Sequence, residues 1–84
     1  MSKIEKGRRA RELLEHPEFK DAIAIIRAEN VNKWQRCGLK DIETQEECKM
    51  LDHAINELLK RFKRVLDDGK IEEDRQQRTR ARKG

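Results

Sequence analysis

Cys48, Leu51, Ile55, Leu58, Phe62 and Val65 recur in alternating steps of three and four. That spacing places six apolar side chains on one face of an α-helix and excludes a strand, whose faces alternate every second residue. Ala54, Leu59 and Leu66 flank the stripe, and Glu57 with Arg61 adds an i,i+4 pair in the favourable order. Thr44 followed three residues later by Glu47 forms a capping-box pattern at the start, with Asp41 as a competing cap. Gly69 is the expected stop.

A second stripe precedes the first. Phe19, Ile23, Ile26, Asn30, Lys33 with Trp34, and Cys37 step by four and three, so a polar Asn30 interrupts an otherwise apolar face. Ala22, Ile25 and Ala28 widen that face near its start. Pro17 fits the first turn of a helix, where its missing N–H has no intrahelical role. Glu18 and Asp21 place carboxylates at the positive end of the dipole. Gly38 offers a left-handed C-terminal cap, so this helix is expected over about 17–37. The six or so residues of 38–43 leave room only for a tight reversal, which makes the helices antiparallel neighbours.

The predicted fold is therefore all-α: an antiparallel helical hairpin of two long helices, with 8–15 compatible with a short leading helix. Three segments follow from this reading, a basic arm at 1–12, the hairpin at 13–69 and a second basic arm at 70–84. The charges support it. Residues 1–12 hold five basic and two acidic side chains, and 75–84 hold five basic and no acid. The middle, 13–74, holds eleven basic against fifteen acidic residues, so the overall +4 hides a mildly acidic body between basic ends. Glu72 to Arg82 contains no breaker and is compatible with continued helix, but apart from Ile71 and Ala81 nothing beyond Gly69 is apolar, and the end of the chain reads as an exposed, frayed or disordered arm.

With 84 residues, 45% of them charged and 35% hydrophobic, the chain can bury little surface, which argues against an enzyme with a deep pocket. It shows no glycine-rich phosphate loop, no nucleophile elbow and no serine after Ser2, and its carboxylate clusters read as solvated helix faces, so no catalytic residue is expected. Cys37 and Cys48 lie near the loop end of the hairpin and read first as buried thiols; a bond between them stays an alternative. His16 and His53 give no ligand pair with them, and neither a metal nor another cofactor is expected. The longest apolar run, Ala22–Ile26, is far too short to span a bilayer, and no secretory signal is visible, so no membrane partner is expected.

Poverty of core points to partners. A two-helix hairpin of this composition is marginal alone, which predicts self-association or docking on a larger assembly through the apolar face at Ile23, Ile25 and Ile26 and the long second stripe. Trp34, the single tryptophan, is the expected contact anchor, since an indole buries a large area and keeps one N–H to donate. Arg75, Arg78, Arg80, Arg82 and Lys83 form a cationic tail suited to nucleic-acid phosphates or to an acidic protein surface. No aromatic residue interleaves with them, which argues against single-strand stacking.

Three runs carry a family likeness: Arg9-Ala10-Arg11-Glu12-Leu13-Leu14-Glu15-His16-Pro17-Glu18-Phe19-Lys20-Asp21-Ala22; Trp34 ahead of Lys40-Asp41-Ile42-Glu43-Thr44-Gln45-Glu46; and Val65-Leu66-Asp67-Asp68-Gly69-Lys70-Ile71. Together they resemble a group of small helical proteins of tailed bacteriophages and prophages. The likeness spans about residues 9–72, leaves the basic tail outside it, and contains no catalytic motif. It implies a phage origin and a helical accessory protein, and no specific activity; the expected location is the virion or the host cytoplasm. The expected function is a non-enzymatic part of the virion or of its construction, acting on itself or on a larger phage assembly. The alternatives are a nucleic-acid-binding regulator or packaging accessory using the basic arms, and a small inhibitor of a host protein.

Overall fold

The computed structural model describes the backbone of residues 1–83 and the side chains of residues 1–82. These form three helices, α1 (Lys3–Glu15), α2 (Pro17–Arg36) and α3 (Ile42–Lys83), with no strand among the described residues. The all-α class holds. The chain divides into two compact units: a hairpin unit, His16–Leu59, and a terminal unit built from Met1–Glu15 and Lys60–Gly84.

In the hairpin unit, α2 starts where Pro17 predicts. His16 caps it, its Nδ1 accepting from Glu18 N–H at 3.1 Å, a role in which imidazole replaces the usual hydroxyl or carboxylate. At the other end Cys37 leaves the helix with φ −70° and ψ 147°. No glycine has positive φ among the described residues, so Gly38 does not supply the left-handed cap expected of it. The reversal closes through Asp41 N–H to Gly38 O at 3.0 Å and through the Gln45 amide, which donates to Gly38 O and Leu39 O.

Asp41, rather than Thr44, caps α3: its Oδ1 accepts from Thr44 N–H at 3.1 Å. Glu47 therefore does not reach back to the helix start and instead pairs across the hairpin with Lys33 at 3.3 Å. The Thr44 contact holds the Asp41 carboxyl below its ordinary pKa. A depressed pKa stabilises the folded state above the ordinary carboxylate value, and that gain is lost as pH falls through the folded value. Hydrogen exchange at the first turn of α3 is thus expected to accelerate as pH drops below about 4 relative to the intrinsic rate, and Asp41→Asn to remove that pH dependence.

The seam of this unit follows a step of seven. Cys48 and Ile55 are buried, and Leu59 is half-buried beside them. On α2 Phe19, Ile23, Asn30 and Cys37 are half-buried. Asn30 is the register pin, its Nδ2 donating to Cys48 O at 2.9 Å, a bond that a slid hairpin loses. The expected stripe is too wide for one neighbouring helix: Leu51 and Leu58 of α3, and Ile25 and Ile26 of α2, remain exposed.

The terminal unit extends one expectation, the leading helix at 8–15, and overturns another. α1 begins at Lys3 because Ser2 Oγ accepts from Glu5 N–H at 3.1 Å, so most of the expected N-terminal arm is helix. Gly69 does not stop α3, which runs on to Lys83. Gly69 and Gly7 are buried against each other at a helix crossing where the backbones meet. A Cβ on Gly69 would lie 2.9 Å from both Gly7 Cα and Lys3 O, and one on Gly7 would lie 2.9 Å from Gly69 Cα. Here glycine is selected for absence of a side chain, and its conformational freedom is not used. Ala10 is buried beside the crossing, with Leu13, Leu14, Phe62, Val65 and Leu66 half-buried around it.

Candidate functional site

With so small a core, the surface carries the functional information. Ala10, Cys48 and Ile55 are the buried hydrophobic residues among those described, whereas eleven large hydrophobic side chains are exposed. An excess of that kind on a small helical chain marks contact surface.

The two edges of the α2–α3 groove differ in chemistry. One is lined by Val31 and Trp34 of α2 with Lys49 and Asp52 of α3. Trp34 is 52% exposed, so the expected anchor stands at the surface with part of its ring on offer. Its carbonyl accepts from Cys37 Sγ at 2.9 Å, and farther along the same edge Arg27 donates to Asn56 Oδ1 at 2.8 Å. The opposite edge is lined by Ile26 and Lys33 of α2 with Glu47 and Leu51 of α3. The structure thus separates Trp34 from Ile26, which the sequence grouped as one contact set.

Because Trp34 is half out of the fold, Trp34→Ala is expected to leave helicity and melting within experimental error while removing at least about tenfold in affinity for any partner seated on that edge. Circular dichroism and a pull-down of the purified full chain check the two halves of that statement.

In the terminal unit, the cations of the expected tail are not equivalent. Arg75 makes a two-pronged contact with Glu72, at 2.7 and 3.2 Å, which lowers the Glu72 pKa and raises that of Arg75. Arg78 pairs with Asp74 at 3.1 Å. Arg80 and Arg82 have no acidic partner among the described residues, and the Lys83 side chain lies outside them. Pairing at i,i+3 and i,i+4 accounts for helix through a stretch with almost no apolar side chain. Arg8 lies 3.8 Å from Glu73, and Arg11 pairs with Glu15 at 3.2 Å.

The division into units redraws the charge map. The terminal unit holds fifteen lysines and arginines against eight carboxylates, a net of +7; the hairpin unit holds six against nine, a net of −3. Lys60, Arg61, Lys63 and Arg64, which the segment-by-segment count assigned to the acidic body, belong with the basic unit.

Cys37 and Cys48 are both free thiols. Among the described residues no three His, Cys, Asp or Glu side chains stand together so as to hold a metal, and no helix is long and apolar enough to cross a membrane. No protein-family model, curated protein or solved structure matches the chain.

Proposed function

We propose that this chain is a non-enzymatic helical accessory protein that works by protein–protein contact, as a minor component of a tailed-phage virion or of the machinery that builds one. The observation that carries the contact reading is the imbalance, among the described residues, between three buried hydrophobic residues and eleven large exposed ones. The phage setting rests on the likeness of residues 9–72. In this reading Trp34, Ile25 and Ile26 provide contacts to itself or to a larger assembly. Mass spectrometry of purified particles tests it: the protein is expected there in stoichiometric amounts, and its absence from particles sinks the virion role.

A second reading, a packaging or nucleic-acid-binding accessory, is favoured by the net +7 of the terminal unit. Arg80 and Arg82 are its readiest phosphate contacts, and Arg75 and Arg78 must first leave Glu72 and Asp74. Binding of duplex DNA that weakens steeply with salt, and that truncation after Asp74 abolishes, decides for this reading. Affinity unchanged at half-molar salt decides against it.

A further inference from the structure

We propose that the edge of the hairpin unit opposite Trp34 is a self-association face, on which a second copy of this chain docks about a two-fold axis running parallel to α2 and α3. The proposal rests on the protein-contact reading and adds the partner, the face and the orientation.

Three contacts set the level of one helix against the other: Asn30 to Cys48, Lys33 to Glu47 and Arg27 to Asn56. In that register Ile26 stands level with Ala54, and Ala22 with Leu58. Helical periodicity puts Ala22, Ile25 and Ile26 of α2 on the same side as Leu51, Ala54 and Leu58 of α3. The groove lined by Ile26 and Leu51 fixes which side this is. All six residues are exposed, and the four large ones retain between 39% and 57% of their accessible surface. They form an apolar patch within a single unit, two helices wide and interrupted on the α2 side by Glu29, in the manner of half a four-helix bundle.

Charge identifies what covers it. Toward the loop the patch gives way to a polar rim whose signs are divided between the helices. Lys33 and Arg36, one turn apart, are on α2; Glu43 and Glu47, one turn apart, are on α3. Glu29 is the exception, an acid on the α2 side of the same groove and level with Leu51. An axis parallel to the helices sets each α2 against the α3 of the partner subunit with both loops at the same end. Lys33 and Arg36 then face Glu47 and Glu43 of the partner subunit, and the same pairing repeats across the axis. An axis perpendicular to the helices sends the two loops to opposite ends and parts these groups. The rim is complementary to itself in one orientation, in which the Lys33–Glu47 pair of each copy stands beside the same pair of the partner subunit.

The test uses two full-length variants, Lys33→Glu/Arg36→Glu and Glu43→Lys/Glu47→Lys, followed by sedimentation equilibrium. The unaltered chain is expected to be a dimer at micromolar concentration. Each variant alone should dimerise at least about tenfold more weakly, and an equimolar mixture should recover a heterodimer near the original affinity. Recovery in the mixture reports contacts between copies, because neither variant regains its own Lys33–Glu47 pair. Ile25→Glu/Leu58→Glu should give a monomer whose helical circular dichroism is retained. A monomeric parent chain, an equimolar mixture no tighter than the separate variants, or a dimer that survives Ile25→Glu/Leu58→Glu but is lost in Trp34→Ala overturns the proposal. A monomer that is nevertheless found in particles overturns it while leaving the protein-contact function standing.

Discussion

Gly69→Val is expected to release α1 from α3. The new Cβ meets backbone atoms on two sides, Gly7 Cα and Lys3 O at 2.9 Å, and backbone cannot rotate away as a side chain can. Valine gains a few tenths of a kcal/mol over glycine in helix propensity. Overpacking of a tight contact costs about 1–3 kcal/mol where side chains can give, and the upper end applies where only the helix axes can move apart. Protection of the α1 amides should fall about a hundredfold in hydrogen exchange, while amides of α2 keep theirs. Gly7→Val should do the same from the other side. Gly38→Ala is the control, since nothing lies within 4 Å of its added Cβ and its φ is not positive; it should be neutral or slightly stabilising. A Gly69→Val chain with native exchange in α1 would refute the close-crossing argument.

The second large effect is expected at Ile55. Its side chain is 7% exposed and is the bulkiest of the three buried hydrophobic residues, so the hairpin unit has little else to compensate its loss. Ile55→Ala removes three buried carbons and leaves a cavity, at a cost of about 2–4 kcal/mol, which alanine's better helix propensity offsets by less than about 1 kcal/mol. For a chain of this size that lowers the thermal midpoint by about 10–20 °C. Ile71→Ala deletes the same atoms from a residue 66% exposed and should shift the midpoint by no more than about 3 °C. Equal losses for the two variants, read by circular dichroism, would show that the core does not lie along the Cys48–Ile55 seam.

The start of α2 was legible because Pro17 has one favourable place in a helix and the apolar steps that follow agree with it. The start of α3 was readable only as a choice between two caps. Thr44 and Asp41 are both good caps, and the decision rests on Glu47, whose preference for Lys33 across the hairpin is a tertiary fact. Gly69 misled for a related reason: glycine serves equally to end a helix and to let another backbone come close, and which applies depends on Gly7, far away in sequence. The faint sign was the small pair Gly7 and Ala10 in α1. The apolar residues of the contact surfaces could be named, whereas their separation onto two edges of a groove needed the pairing register. The basic character of the terminal unit was hidden because it is assembled from both ends of the chain.

The Gly7–Gly69 crossing also bears on the order in which structure can form during synthesis. Asn30 and Cys48 are 18 positions apart, so the hairpin unit closes through local contacts soon after its residues are made. Gly7 and Gly69 are separated by 62 positions, the difference of their numbers, and α1 has no place to dock until about two thirds of α3 exists. Contacts of high sequence separation form late because the loop must be closed before they repay it. Although α1 is translated before α2 and α3, it is therefore secured after the hairpin unit, and a nascent or truncated chain ending before residue 69 presents Ala10, Leu13 and Leu14 to proteases and chaperones.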